Sequence, residues 1–214
     1  MFLNLHIHKA SGNNDVFEVV NRYPYEDIDV SYFSTGIHPW HIDMEKLQDH
    51  LKITEQRLQL PNCLALGECG LDKRIEIPLE IQVEVFEKQL LLAKKYQKPV
   101  ILHCVAAYQE VIEINKRLAP GVPMIIHGFS KNKQVAKQLL NNDFYLSFGK
   151  YLLRNPELSA VFADVPANRF FLETDSIEES IAEVYAKATK ARNMNLEDLK
   201  NTISTNFKTV FNNG

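Results

Sequence analysis

Apolar residues along the chain gather into short continuous runs that end in a polar residue or a glycine, and stretches with helical spacing separate them. The runs are Phe2 to His8, Asn62 to Gly67, Pro99 to His103, Pro123 to His127, Phe144 to Phe148 and Phe170 to Asp175. Continuous apolar runs of this length predict strands buried on both faces. Val30 to Gly36 mixes β-branched and aromatic residues and predicts another strand. Helices are expected over Met44 to Gln59, Glu80 to Tyr96, Tyr108 to Leu118, Lys131 to Leu140 and Pro156 to Val165. In the second of these, Ile81, Val85, Phe86, Leu90 and Ala93 fall on one face. Two further helices, Ile177 to Arg192 and Leu196 to Phe211, follow the last run, with Asn195 as N-cap of the second. Asp15 to Asn21 fits a short strand or a broken helix equally.

Strands that alternate with helices pair in parallel, because each helix is the crossover between neighbouring strands. About eight strands can be assigned in this way. The expected fold is α/β: a distorted (β/α) barrel of TIM type, formed as one domain over residues 1–214. With 214 residues the chain is short for such a barrel, which typically takes about 250. An open doubly wound sheet is the alternative. It would place a glycine-rich phosphate loop after the first strand, where this chain has histidines.

Composition narrows the picture. A net charge of −3 argues against a wide basic surface for duplex nucleic acid. The three cysteines, Cys63, Cys69 and Cys104, form no Cys-x-x-Cys pair, so no disulfide framework is expected and a reducing, cytoplasmic setting is. No run is long enough to span a bilayer, so no membrane partner is expected.

The ends of the runs carry the candidate chemistry. His6 and His8 share a strand face, since alternate residues point the same way. His103 and His127 end two further runs, and Glu68 and Asp175 follow two more. Singly, each fits a structural role: a buried histidine with a hydrogen-bond partner, a glutamate paired with an arginine, an aspartate capping the next helix. Together, six nitrogen and oxygen donors at strand ends have the composition of a dinuclear hydrolase site. Gly67 and Gly70 leave room for tight backbone geometry around Glu68. In the turn Ile37-His38-Pro39-Trp40-His41, His38 and His41 are further possible ligands, and a substrate contact and a structural hydrogen bond are equally open for His38.

The chain resembles the TatD family of metal-dependent hydrolases, within the amidohydrolase-like barrels. The motifs that carry the resemblance are His6-x-His8, Gly36-Ile37-His38-Pro39, Gly67-Glu68-x-Gly70-Leu71-Asp72 and Gln82-x-x-x-Phe86-x-x-Gln89-Leu90. They continue with Pro99 to Cys104, His127-Gly128-Phe129-Ser130, Leu172-Glu173-Thr174-Asp175 and the closing Asn206-Phe207 with Phe211.

The resemblance implies two divalent ions, zinc, manganese or magnesium. His6, His8 and Asp175 would hold the first, His103 and His127 the second, and Glu68 would bridge. Asp175 and Glu68 would be the catalytic pair, with His38, Lys73 and Arg74 on the substrate. Metal-bound water has its pKa lowered towards ~7, which supplies hydroxide at neutral pH. The expected activity is phosphodiester hydrolysis, as a deoxyribonuclease acting on DNA ends, by a monomer. The alternatives are an amidohydrolase-like enzyme on a small ester, amide or phosphate, and a catalytically weak metal-binding protein.

The chain departs from the family pattern in four places. Asn4 stands where the family usually has aspartate. Val105-Ala106-Ala107 stands where it has Arg-Asp-Ala. The segment between His8 and Gly36 is shortened, enough to remove most of one strand–helix unit. Ser176-Ile177-Glu178-Glu179 replaces a loop bearing proline and arginine, and is expected to lead directly into a helix.

Overall fold

The structure, a computed structural model, describes residues 1–211. Eight strands form one sheet in sequence order. They are β1 (Phe2–Ile7), β2 (Val16–Asn21), β3 (Phe33–Thr35), β4 (Cys63–Asp72), β5 (Val100–Val105), β6 (Met124–Ile126), β7 (Tyr145–Phe148) and β8 (Phe170–Leu172). The pairs β1–β2, β3–β4, β4–β5 and β7–β8 are parallel. Just beyond β8, Asp175 bridges in parallel to Ile7 of β1. Strands in sequence order, with the last returning to the first, give the topology of a (β/α)8 barrel.

The helices are α1 (Leu47–Leu58), α2 (Leu79–Tyr96), α3 (Tyr108–Leu118), α4 (Lys133–Leu140), α5 (Lys150–Arg154), α6 (Pro156–Asp164), α7 (Ile181–Arg192) and α8 (Leu196–Phe211). By contacts the chain forms two compact units. One is Asn21–Ile125; the other joins Met1–Val20 to the chain from Ile126 onward.

In the contiguous unit, β4 is the central element. Its residues from Ala65 to Asp72 are all buried. Two of its glycines are required by the close approach of β5: a Cβ on Gly67 would strike the Ile101 carbonyl, and one on Gly70 the His103 carbonyl. Two buried glutamines of α2 hold backbone in place. Gln89 accepts from the Ile37 N–H and donates to the Ile37 carbonyl, at 2.7 and 3.1 Å. Gln82 does the same for Asp72, at 2.8 and 3.0 Å. The glutamines thus fix the entry to the His38 turn and the end of β4.

In the discontinuous unit, β1 lies between β2 and the end of β8, with α7 and α8 packed on it. The Tyr185 hydroxyl of α7 bonds the Leu3 backbone. Asn206 of α8 donates to the carbonyls of Ala167 and Phe170 at 2.9 Å, and Phe207 stacks on Phe211.

Several expectations shift. Asp15 to Asn21 resolves into the strand β2. Residues 8–15 join β1 to β2 and residues 22–32 join β2 to β3 without an α-helix in either connection, which is the shortening expected before Gly36. The short α5 follows Gly149, where only a strand end was expected. The helix expected from Ile177 begins at Ile181, because Ser180 and Glu183 form a reciprocal capping box. Asn195 does cap α8, accepting from the Asp198 N–H at 2.9 Å.

Candidate metal centre

In the contiguous unit, Glu68 and Asp72 project from the same face of β4, four residues apart, and His103 of β5 lies between their carboxylates. Its Nδ1 is 3.0 Å from Glu68 Oε1 and its Nε2 is 3.2 Å from Asp72 Oδ2. His38 Nε2 is 3.1 Å from the same Glu68 Oε1. His38, Glu68 and His103 therefore bring two imidazole nitrogens and a carboxylate oxygen within reach of one ion, a donor set suited to zinc or manganese.

The other nitrogen of His38 qualifies its role. His38 Nδ1 accepts the Trp40 backbone N–H at 3.0 Å. A neutral imidazole that accepts at Nδ1 carries its proton on Nε2. His38 then donates to Glu68 and has no lone pair on that side for a metal. His103, held through Nε2 by a carboxylate, has the opposite arrangement: a hydrogen-bonded back and a front nitrogen turned to Glu68, as metal-binding histidines usually have.

Asp72 is the anchor of this arrangement. Burial pushes its carboxyl up, but the Trp40 indole N–H, the Arg74 backbone N–H and His103 outweigh that and hold it below the usual value. Asp72 and Trp40 carry structural roles that the sequence reading left unassigned. For Asp72 the signal was available, since residues 68, 70 and 72 share a strand face.

In the discontinuous unit, His6 is fully buried in β1 and His8 lies just beyond it. Asp175 Oδ1 is 3.3 Å from His8 Nε2 and 3.8 Å from His6 Nε2. Asp175 has φ 57°, in the left-handed region that aspartate and asparagine tolerate better than most residues. It does not cap α7, which Ser180 does. The His127 ring lies 4.5 Å from that of His6. Glu173, buried at 1% exposure, accepts the Gly128 N–H at 2.6 Å and stands 3.4 Å from His127 Nδ1, a supporting carboxylate that the strand pattern did not single out. Asn4 and Thr174, the latter next to Asp175, are joined by two mutual hydrogen bonds.

The expected substrate cations are placed differently from one another. Lys73 forms an ion pair with Glu110, while Arg74 is anchored to Asp72 through its backbone. Beside His8 and Asp175 opens a groove of about 680 Å³ whose wall includes Asp15, Glu18, Glu178 and Glu179 as well as Lys9. Cys63, Cys69 and Cys104 are buried, and none is in a disulfide among the described residues. Among the described residues no helix is long and apolar enough to cross a membrane.

The sequence model of the TatD-related DNases matches residues 3–212. A metal-dependent hydrolase of Bacillus subtilis is 33% identical over 155 residues, which cover 70% of this chain and 60% of that protein. A 3'-5' ssDNA/RNA exonuclease TatD of a Rahnella species is 32% identical over 156 residues, covering 71% and 59%. The chain thus matches about three fifths of the length of these relatives. Among solved structures, the TatD homologue YJJV of Escherichia coli superposes with a TM-score of 0.83 at 23% identity, covering 100% of this chain and 98% of that one, so the fold is that of a TIM-type barrel. The chain belongs to the TatD-related DNase family of metal-dependent hydrolases.

Proposed function

We propose that this protein is a phosphodiesterase that uses two divalent ions, zinc, manganese or magnesium, to remove nucleotides from single-stranded or frayed DNA ends. The observation that carries the reading is the Glu68 carboxylate, whose one oxygen receives nitrogens from both His38 and His103 at the end of a buried strand. A buried carboxylate among imidazoles costs much unless it is paired or ligates a cation.

The proposed ligands are His6, His8, Glu68, His103, His127 and Asp175. Bound divalent ions would acidify water and offset charge on the phosphoryl oxygens. The protein's own groups do the rest. Asp175 takes the proton from the attacking water, and His8, against its Oδ1, orients it. His38 holds the Glu68 carboxylate by donation from Nε2. Asp72 holds His103, and Glu173 supports His127. Arg74 and Lys73 are proposed phosphate contacts, Lys73 by exchange from Glu110. His38, bound at Nε2 to Glu68 and at Nδ1 to the Trp40 N–H, acts on the substrate only indirectly, by holding that carboxylate.

A second reading, hydrolysis of a small ester, amide or phosphate, is favoured by one feature. The groove beside Asp175 is walled by acidic side chains that repel a polyanion.

The test is hydrolysis by protein loaded with each metal across DNA oligonucleotides, RNA oligonucleotides, a simple phosphodiester and carboxyl esters. Progressive shortening of DNA from an end is expected. Turnover of carboxyl esters alone selects the second reading, and no turnover with any metal rejects both.

A further inference from the structure

We propose that Trp40 is a fixed stacking platform for an unpaired nucleobase of the substrate. The inference deepens the phosphodiesterase reading and rests on it. Scattered exposed apolar residues such as Leu60 and Leu91 are ordinary surface. Trp40 differs in how it is held. It is 57% exposed, yet both of its N–H groups are bound by residues of the candidate centre. The indole N–H donates to Asp72 Oδ2 at 2.8 Å, and the backbone N–H donates to His38 Nδ1 at 3.0 Å. Its ring centroid lies 5.1 Å from that of His38 and 5.7 Å from that of His103.

A large aromatic ring is thus held in place, open to solvent, immediately beside the proposed ligands. Fixing it in advance removes the entropy loss that a mobile side chain would suffer on binding. The ring is also uncharged, so it can engage a base without drawing Lys73 from its ion pair with Glu110. Stacking on aromatic side chains accepts every base and requires that the base be unpaired. A platform at this place therefore selects single-stranded ends over duplex. The rings continue through His41, 5.6 Å from His38, to the stacked pair Tyr23 and Tyr25.

Trp40 is the sole tryptophan of the chain, so its emission reports on its own face. The metal-loaded protein would be titrated with a phosphorothioate trithymidylate and with an abasic chain of equal length and charge. Affinities would be measured in parallel by anisotropy of labelled chains for wild type, Trp40→Ala and Trp40→Phe. The thymidylate is expected to quench the emission and the abasic chain is not. Trp40→Ala should bind the thymidylate about 5- to 150-fold more weakly, the range of one base stack. Trp40→Phe retains a ring and loses the indole N–H, so it should recover most of that affinity. Metal content of each variant checks that His103 keeps its place.

Equal quenching by the abasic chain overturns the proposal. A Trp40→Phe protein as weak as Trp40→Ala also overturns it, because the ring would then act only through Asp72. Absence of base dependence in a protein that hydrolyses DNA rejects the platform alone. Absence of both binding and hydrolysis rejects the phosphodiesterase reading and the platform with it.

Discussion

Asn4 and Thr174 bind each other twice: the Asn4 side-chain amide donates to the Thr174 hydroxyl at 2.8 Å, and the Thr174 backbone N–H donates to Asn4 Oδ1 at 3.0 Å. Both residues are buried. The pair ties β1 to the chain just before Asp175, and so sets the spacing of His6 and Asp175. An aspartate at position 4 would accept from both groups once the threonine hydroxyl rotates. Asn4→Asp should therefore change stability little. Asn4→Leu leaves the Thr174 N–H buried without an acceptor and should cost about 1–3 kcal/mol. Urea unfolding of the two variants against wild type measures this, and an Asn4→Leu protein as stable as wild type would dismiss the pair as a structural tie.

Asp175→Asn separates proton transfer from scaffolding. Asparagine tolerates the left-handed backbone that residue 175 adopts, and the cap of α7 belongs to Ser180. The melting temperature should hardly move. Turnover should fall by a factor of roughly 10² or more, the scale for loss of a general base. Melting, metal content and hydrolysis measured on one preparation decide it; near-normal turnover would remove Asp175 from the chemistry.

His38→Ala tests the tautomer argument. If His38 donates to Glu68 and does not ligate, the variant binds as many ions as wild type, with affinity lowered about 10- to 100-fold, as is typical when a supporting partner of a ligand is lost. Metal analysis after dialysis against a chelating buffer reads both quantities. Loss of one ion per chain would make His38 a ligand instead.

Alkaline pH should weaken the fold once thiols of the unfolded chain begin to deprotonate. Burial pushes the Cys63 thiol up to about 12 from an ordinary 9.0, against the pull of Lys98 and Arg57. Burial also raises Cys69, with the Glu68 charge adding to it, and raises the Tyr185 hydroxyl. The folded protein thus keeps protons that the unfolded chain releases. The contribution of Cys63 is complete below its ordinary value of 9.0 and is lost as pH rises towards about 12. Urea midpoints measured from neutral pH upward should fall along this limb, and less steeply in Cys63→Ala. Native protein should also resist alkylation of both thiols at mildly alkaline pH.

The positions of the proposed donors were legible in the sequence because they sit on or beside strands whose apolar runs are hard to mistake. His6, Glu68 and His103 lie inside β1, β4 and β5, while His8, His127 and Asp175 lie just past strand ends. The supporting contacts were less legible because they join residues far apart in sequence. Trp40 meets Asp72 across 32 positions, and Glu173 meets His127 across 46. The start of α7 was misplaced because Ile177 continues an apolar pattern, although the capping signature Ser180-Ile181-Ala182-Glu183 was present in the sequence. One turn of helix, as in α5, is too short to produce a period.

The division of the chain into one contiguous and one interrupted unit orders its assembly during synthesis. Glu68, His38 and His103 all lie within the contiguous stretch Asn21–Ile125, so all three have been synthesised once that stretch is complete. His6 emerges far earlier than its partner Asp175, and until then β1 has β2 beside it but lacks β8. A strand kept waiting exposes backbone groups and apolar surface to other chains. The stretch most vulnerable in the nascent protein is therefore β1, and the His6–Asp175 contact is among the last to form.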